Sequence, residues 1–87
     1  MFQNRCRDDD SMNDDIEKRI GQNIRSLREA ASLTQEQLSA RLQVSGCDIT
    51  RSALAKIEVG QRHLYPDELI QIKNALGVSY EEILKTE

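Results

Sequence analysis

LTQEQLSARLQVSGCDITRSALAKIEVG, Leu33 to Gly60, is the stretch on which the fold turns. It holds two short amphipathic segments, Gln35–Leu42 and Arg51–Val59, joined by a polar run of small residues. Leu38 and Leu42 in the first, and Leu54 and Ile57 in the second, stand at the spacings that place side chains on one helix face. Thr34 and Gln37 have the spacing of a capping box, Thr50 can cap the second helix, and Gly60 can end it in a left-handed conformation. Isolated helices shorter than about 12–15 residues are marginal in water. Both segments must therefore pack on something else in the chain.

Upstream, Ile16, Ile20, Ile24, Leu27 and Ala31 form a helical stripe that predicts a helix over about 15–31. Asp14 and Glu17 stand at capping-box spacing, and acids suit a helix N-terminus. Gly21 lies inside this helix at a modest cost in propensity. Downstream, Pro66 fits the first turn of a helix over about 66–76, with Leu69, Ile72 and Leu76 inward and Gly77 as its stop. Ser79 and Glu82 open a last short helix that buries Ile83 and Leu84. No stretch alternates as a strand does. The expectation is an all-α fold: one compact domain of five helices over residues 14–87, preceded by a disordered acidic tail over residues 1–13.

Composition narrows the class. With no tryptophan, one phenylalanine and two tyrosines, the core has to be aliphatic. No apolar run approaches the length of a membrane span, and the N-terminal residues lack the apolar centre of a secretory signal. Cys6 and Cys47 fit neither a metal spacing nor a disulfide framework, so a reduced, cytoplasmic protein is expected. No Ser/His/Asp, Cys/His, metal-ligand or phosphate-loop arrangement exists, which argues against an enzyme and against any cofactor. His63 is a lone linker histidine.

The net charge of −3 hides a segregation. Residues 18–64 carry eight Lys/Arg against four Asp/Glu, whereas both ends of the chain are acidic. The positive charge thus falls on the stretch that holds the helix pair, which points towards a polyanionic partner.

The segments IRSLREAASLTQEQLSARL (24–42), TRSALAKIEVGQR (50–62) and DELIQIKNALGVSYEEIL (67–84), in this order, resemble the lambda-repressor-like, Xre-type helix-turn-helix domain. The resemblance spans about Ile16 to Leu84. Two departures stand out: Ser39 where the family usually has alanine, and Gln43 where it usually has the glycine of the tight turn. Gln43 coincides with about five additional residues, Gly46 to Thr50. A rebuilt turn is expected, with Gly46 at positive φ and Ile49 folded inward.

The resemblance implies a DNA-binding transcriptional regulator, bacterial or phage, whose third helix (about 50–59) enters the major groove of double-stranded DNA. It implies base contacts from Thr50, Arg51, Ser52 and Lys56, and phosphate contacts from Thr34, Gln35, Gln61 and Arg62. It also implies a salt bridge between Arg28 and Glu58, tying the first helix to the third. A homodimer on a palindromic operator is the usual form of such domains. The alternative is a protein-interaction module, such as an antitoxin or a helix-turn-helix domain that no longer binds DNA.

Overall fold

The computed structural model describes residues 10–86, with side chains from Asp15 onward. Five helices follow one another: α1 (Asp10–Ala30), α2 (Gln35–Val44), α3 (Arg51–Glu58), α4 (Pro66–Leu76) and α5 (Tyr80–Leu84). No strand occurs among the described residues, and none of these helices is long and apolar enough to cross a membrane. α1 packs on α3 and α5, while α2 packs on α3 and α4, so α3 is held between two elements.

The core is aliphatic. Ile24, Leu38, Leu42, Ile49, Leu54, Ile57, Ile72 and Ile83 are buried, with Ile20, Leu27, Leu69, Leu76 and Val78 packed against them. Burial of this kind contributes about 25 cal/mol per Å² of apolar surface and is the main term holding short helices together. Three inward assignments fail. Ile16 is 43% and Leu84 42% exposed, at the rim of a groove they share with Leu64 and Leu69. Ala31 is also exposed.

Helix boundaries differ from expectation at three places. α1 begins at Asp10 rather than near residue 15, which puts Asp14 inside the helix instead of at its cap. Residues 10–20 contain no glycine or proline to stop it, and Asp10, Asp14 and Asp15 suit the positive end of a helix. The remaining residues of the expected tail, 1–9, lie outside the described residues. α2 runs two residues past Leu42, so Gln43 is helical and not left-handed. α3 stops at Glu58, with Val59 as its C-cap.

The ends of the helices are closed by local chemistry. Gly46 (φ +94°) follows the Ser45 cap of α2, Gly46 N–H donates to Gln43 O (3.1 Å) and Cys47 N–H to Leu42 O (2.8 Å), forming a Schellman motif. The same motif ends α1, where Leu33 N–H donates to Arg28 O (3.1 Å), but here Ser32 takes the left-handed position at φ +59°. α5 has no glycine stop. Its end and the residues after it are met from α1: Asn23 Nδ2 donates to Ile83 O (2.8 Å) and Lys85 O (2.6 Å), and Arg19 donates to Thr86 O.

Candidate nucleic-acid interface

α3 separates two faces. Leu54, Ile57 and Glu58 are buried, whereas Arg51, Ser52 and Lys56 point to solvent. Thr50 caps the helix, its Oγ1 accepting a hydrogen bond from Ala53 N–H at 3.1 Å. Thr50, Arg51, Ser52 and Lys56, the residues expected to meet bases, are all exposed on this one element. Among the described residues neither Arg51 nor Lys56 pairs with an acid, while Arg28, Arg62 and Arg25 are each held by a glutamate. Two cations without an acidic partner, Arg51 and Lys56, therefore lie on the outward face of α3.

The inward face is fixed by a buried charge cluster. Arg28 Nε donates to Glu58 Oε2 (2.7 Å) and Arg28 Nη2 to Glu58 Oε1 (3.1 Å), a bidentate pair linking α1 to α3. Arg28 is 7% and Glu58 2% exposed, so the pair sits in the interior. Arg28 Nη1 also donates to Leu33 O (2.8 Å), and Gln35 Nε2 donates to Glu58 Oε1 (3.0 Å). No buried side-chain polar atom among the described residues lacks a partner. Hydrogen bonding to Glu58 raises the Arg28 pKa against the opposing effect of burial. A charge pair this enclosed survives because each charge is met by several hydrogen bonds.

The expected phosphate-contacting residues are distributed less simply. Thr34 caps α2 in a full capping box: its Oγ1 accepts from Gln37 N–H (3.0 Å) and its N–H donates to Gln37 Oε1 (2.9 Å). The exposed end of α2 retains amide groups without helical acceptors, the feature that attracts anions. Gln35 is half-buried, and its amide is turned inward to Glu58 rather than outward. Gln61 is exposed in the turn after α3, where its N–H closes on Lys56 O (2.8 Å). Arg62 is committed elsewhere: Nη1 and Nη2 donate to the two Glu68 oxygens, both at 2.9 Å. That pair raises the Arg62 pKa and lowers the Glu68 pKa, so this guanidinium braces the linker to α4. His63 contacts the Glu17 carboxylate at 2.8 Å.

Sequence reasoning missed three of these contacts, Gln35–Glu58, Arg62–Glu68 and His63–Glu17. Each joins residues that no local spacing relates. Cys47 is half-buried in the connection between α2 and α3; burial first, then Glu68, Asp67 and Asp48, raise its thiol pKa and leave it a poor nucleophile.

Comparison with known proteins agrees with this geometry. A family model described as a helix-turn-helix domain matches residues 21–87. The chain is 36% identical over 70 residues to the uncharacterized HTH-type transcriptional regulator y4dJ of Sinorhizobium fredii (strain NBRC 101917 / NGR234), covering 80% of this chain and 84% of that protein. No solved structure matches. With an all-helical core, a capped helix pair across Leu33–Gly60 and a family match over most of its length, the chain belongs to the helix-turn-helix domain family.

Proposed function

We propose that the chain is a sequence-specific DNA-binding transcriptional regulator of the lambda-repressor-like, Xre type, which inserts α3 into the major groove of double-stranded DNA. The observation that carries this reading is the outward face of α3, where Arg51 and Lys56 lie unpaired beside Ser52 and the Thr50 cap while the opposite face is locked into the core. In this mode Arg51 bonds guanine O6 and N7, and Thr50, Ser52 and Lys56 meet neighbouring base edges. The N-terminus of α2, at Thr34 and Gln35, and the turn at Gln61 lie against phosphates, which set register without reading sequence. For Gln35 the contact is through its backbone amide, since its side chain serves Glu58. Arg62 supports this surface from behind through Glu68. Binding as a homodimer, one helical turn between half-sites, makes the operator a palindrome.

Selection of bound duplexes from a random DNA pool at stated salt concentrations tests this. Recovery of a two-fold symmetric sequence, with affinity falling steeply as salt rises, is the expected result. Absence of enrichment even at low salt would refute DNA recognition.

A second reading, a protein-interaction module such as an antitoxin, is favoured by one observation. Ile16 and Leu84, 43% and 42% exposed, rim an apolar groove floored by Ile20, Leu64 and Leu69. Under that reading, the same selection returns no sequence.

A further inference from the structure

We infer that Ser39 and Gln43 are positioning residues for the base-contacting end of α3, acting through the main-chain carbonyl of Ile49. The inference rests on the DNA-binding reading above and adds to it which side chains of α2 set the entry of α3. Six residues, 45–50, separate α2 from α3, more than geometry alone would hold in one conformation. The first half is closed by the Schellman motif at Gly46. The second half has no secondary structure, yet it delivers Thr50, Arg51 and Ser52 to the outward surface.

Besides the hydrogen bond from Ile49 N–H to Cys47 O (2.9 Å), two contacts hold that second half. The Ile49 side chain is fully buried in the core, which fixes its position but leaves its peptide free to rotate. The Ile49 carbonyl is then gripped from α2: Ser39 Oγ donates to it at 2.7 Å and Gln43 Nε2 at 3.3 Å, with Gln43 Nε2 also 3.3 Å from Ser39 Oγ. Ser39 is 5% exposed, so its hydroxyl has no competing water and its hydrogen bond is directed. The clamped carbonyl belongs to the peptide that Ile49 shares with Thr50, so its orientation restricts the φ of the α3 cap residue (−76°), the torsion through which the chain enters the helix. Ser39 and Gln43 are one helical turn apart, which lets both reach the same oxygen. Neither touches the outward face of α3. Their effect on base contacts passes through the peptide alone.

The test uses the full chain with Ser39→Ala and Gln43→Met, singly and together. Both substitutions remove donors while conserving most of the volume. Two readouts are taken: native-state amide hydrogen exchange of the free protein, and affinity for the selected duplex against one altered at the base pair read by Arg51. The Ile49 and Ala53 amides, which donate to Cys47 O and Thr50 Oγ1, should exchange at least about tenfold faster in the double variant, with those of α1 and α4 changed less than about threefold. Discrimination between the two duplexes should fall by about tenfold while binding to unrelated DNA stays within about twofold. Because Gln43 is exposed, Gln43→Met alone leaves the core untouched and must show the same pattern at smaller amplitude. Unchanged exchange at Ile49 and Ala53, or a uniform increase across the whole chain, overturns the inference. A protein that binds no duplex overturns the DNA-binding reading, whatever the exchange pattern shows about the clamp.

Discussion

Gly21, in the middle of α1, lies against Glu58 in the last turn of α3. A methyl group on Gly21 would stand 2.8 Å from the Glu58 carbonyl oxygen and closer still to that of Ile57. Both obstructing atoms are backbone, so nothing can swing aside as a flexible side chain would. The glycine brings the axes of α1 and α3 close enough for Arg28 to reach Glu58 with both nitrogens.

Gly21→Ala should therefore destabilise the protein although alanine is the better helix former by about 1 kcal/mol. Overpacking typically costs about 1–3 kcal/mol, and here it acts on two helix backbones at once. Urea denaturation measures the balance. An increase in stability would show that α3 can move away freely, contrary to the packing described.

The Arg28–Glu58 pair should behave as a coupled buried unit. Removing one partner strands the other, at a cost of about 3–5 kcal/mol, and the double variant should lose much less than the two singles combined. Glu58→Ala should also weaken DNA binding without removing a DNA contact, because α3 loses its tie to α1. A double-mutant cycle by chemical denaturation decides the matter; additive losses would mean two independent charges.

Ser32 holds a left-handed conformation that glycine adopts without strain. Its residue is exposed and its N–H already donates to Glu29 O at 2.9 Å, so nothing but backbone freedom changes on substitution. Ser32→Gly should raise stability by up to about 1 kcal/mol. Thermal melting that moved downward would show that the side chain contributes more than the strain.

Arg51 and Arg62 should separate cleanly. Arg51→Ala removes an exposed, unpaired cation, so stability should hold while affinity for the selected duplex falls by about 1–3 kcal/mol and preference at one base pair relaxes. Arg62→Ala frees the partly buried Glu68, so its main effect should be on stability. Binding isotherms on matched and singly altered duplexes, run beside melting curves, test both. A stability loss for Arg51→Ala with unchanged discrimination would remove it from the base-contacting set.

Acid should loosen the linker. Hydrogen bonding from Arg62, then from the Tyr65 N–H, holds the Glu68 pKa below its usual value, while burial pushes the other way. A carboxylate depressed in the folded state contributes its full stabilisation above the unfolded value of about 4.3, and that contribution is lost as pH falls through the folded pKa. Glu68→Gln keeps an acceptor for Tyr65 N–H but not the charge. It should lower stability near neutrality and flatten the acid-side decline that sets in below the unfolded value of about 4.3. An unaltered acid limb would locate the titration in other carboxylates.

What the chain determined by itself was most of what depends on residues a few positions apart, the Asp14–Glu17 spacing inside α1 excepted. The Thr34–Gln37 and Ser79–Glu82 boxes, the Gly46, Gly60 and Gly77 turns and the faces carrying Leu38, Leu54 and Ile72 follow from helical spacing, because the interacting groups are covalent near-neighbours. Helical spacing also put Arg51 and Lys56 on the face of α3 opposite Leu54 and Ile57. Tertiary structure decided the rest. Ile16 and Leu84 stand exposed at the rim of a groove lined from other elements by Leu64 and Leu69, which the spacing of Ile16 and Leu84 along the chain does not show. Arg62 is identical in formula to Arg51, yet Glu68 lies within its reach and no acid lies within that of Arg51 among the described residues. Gln35 has the polarity of a surface residue until Glu58 is brought beside it, and Gly21 looks like a weak point in a helix until a second backbone approaches. In each case the outcome depends on a partner tens of residues away or set by another helix, and electrostatic and steric forces act over ångströms of space rather than positions of sequence.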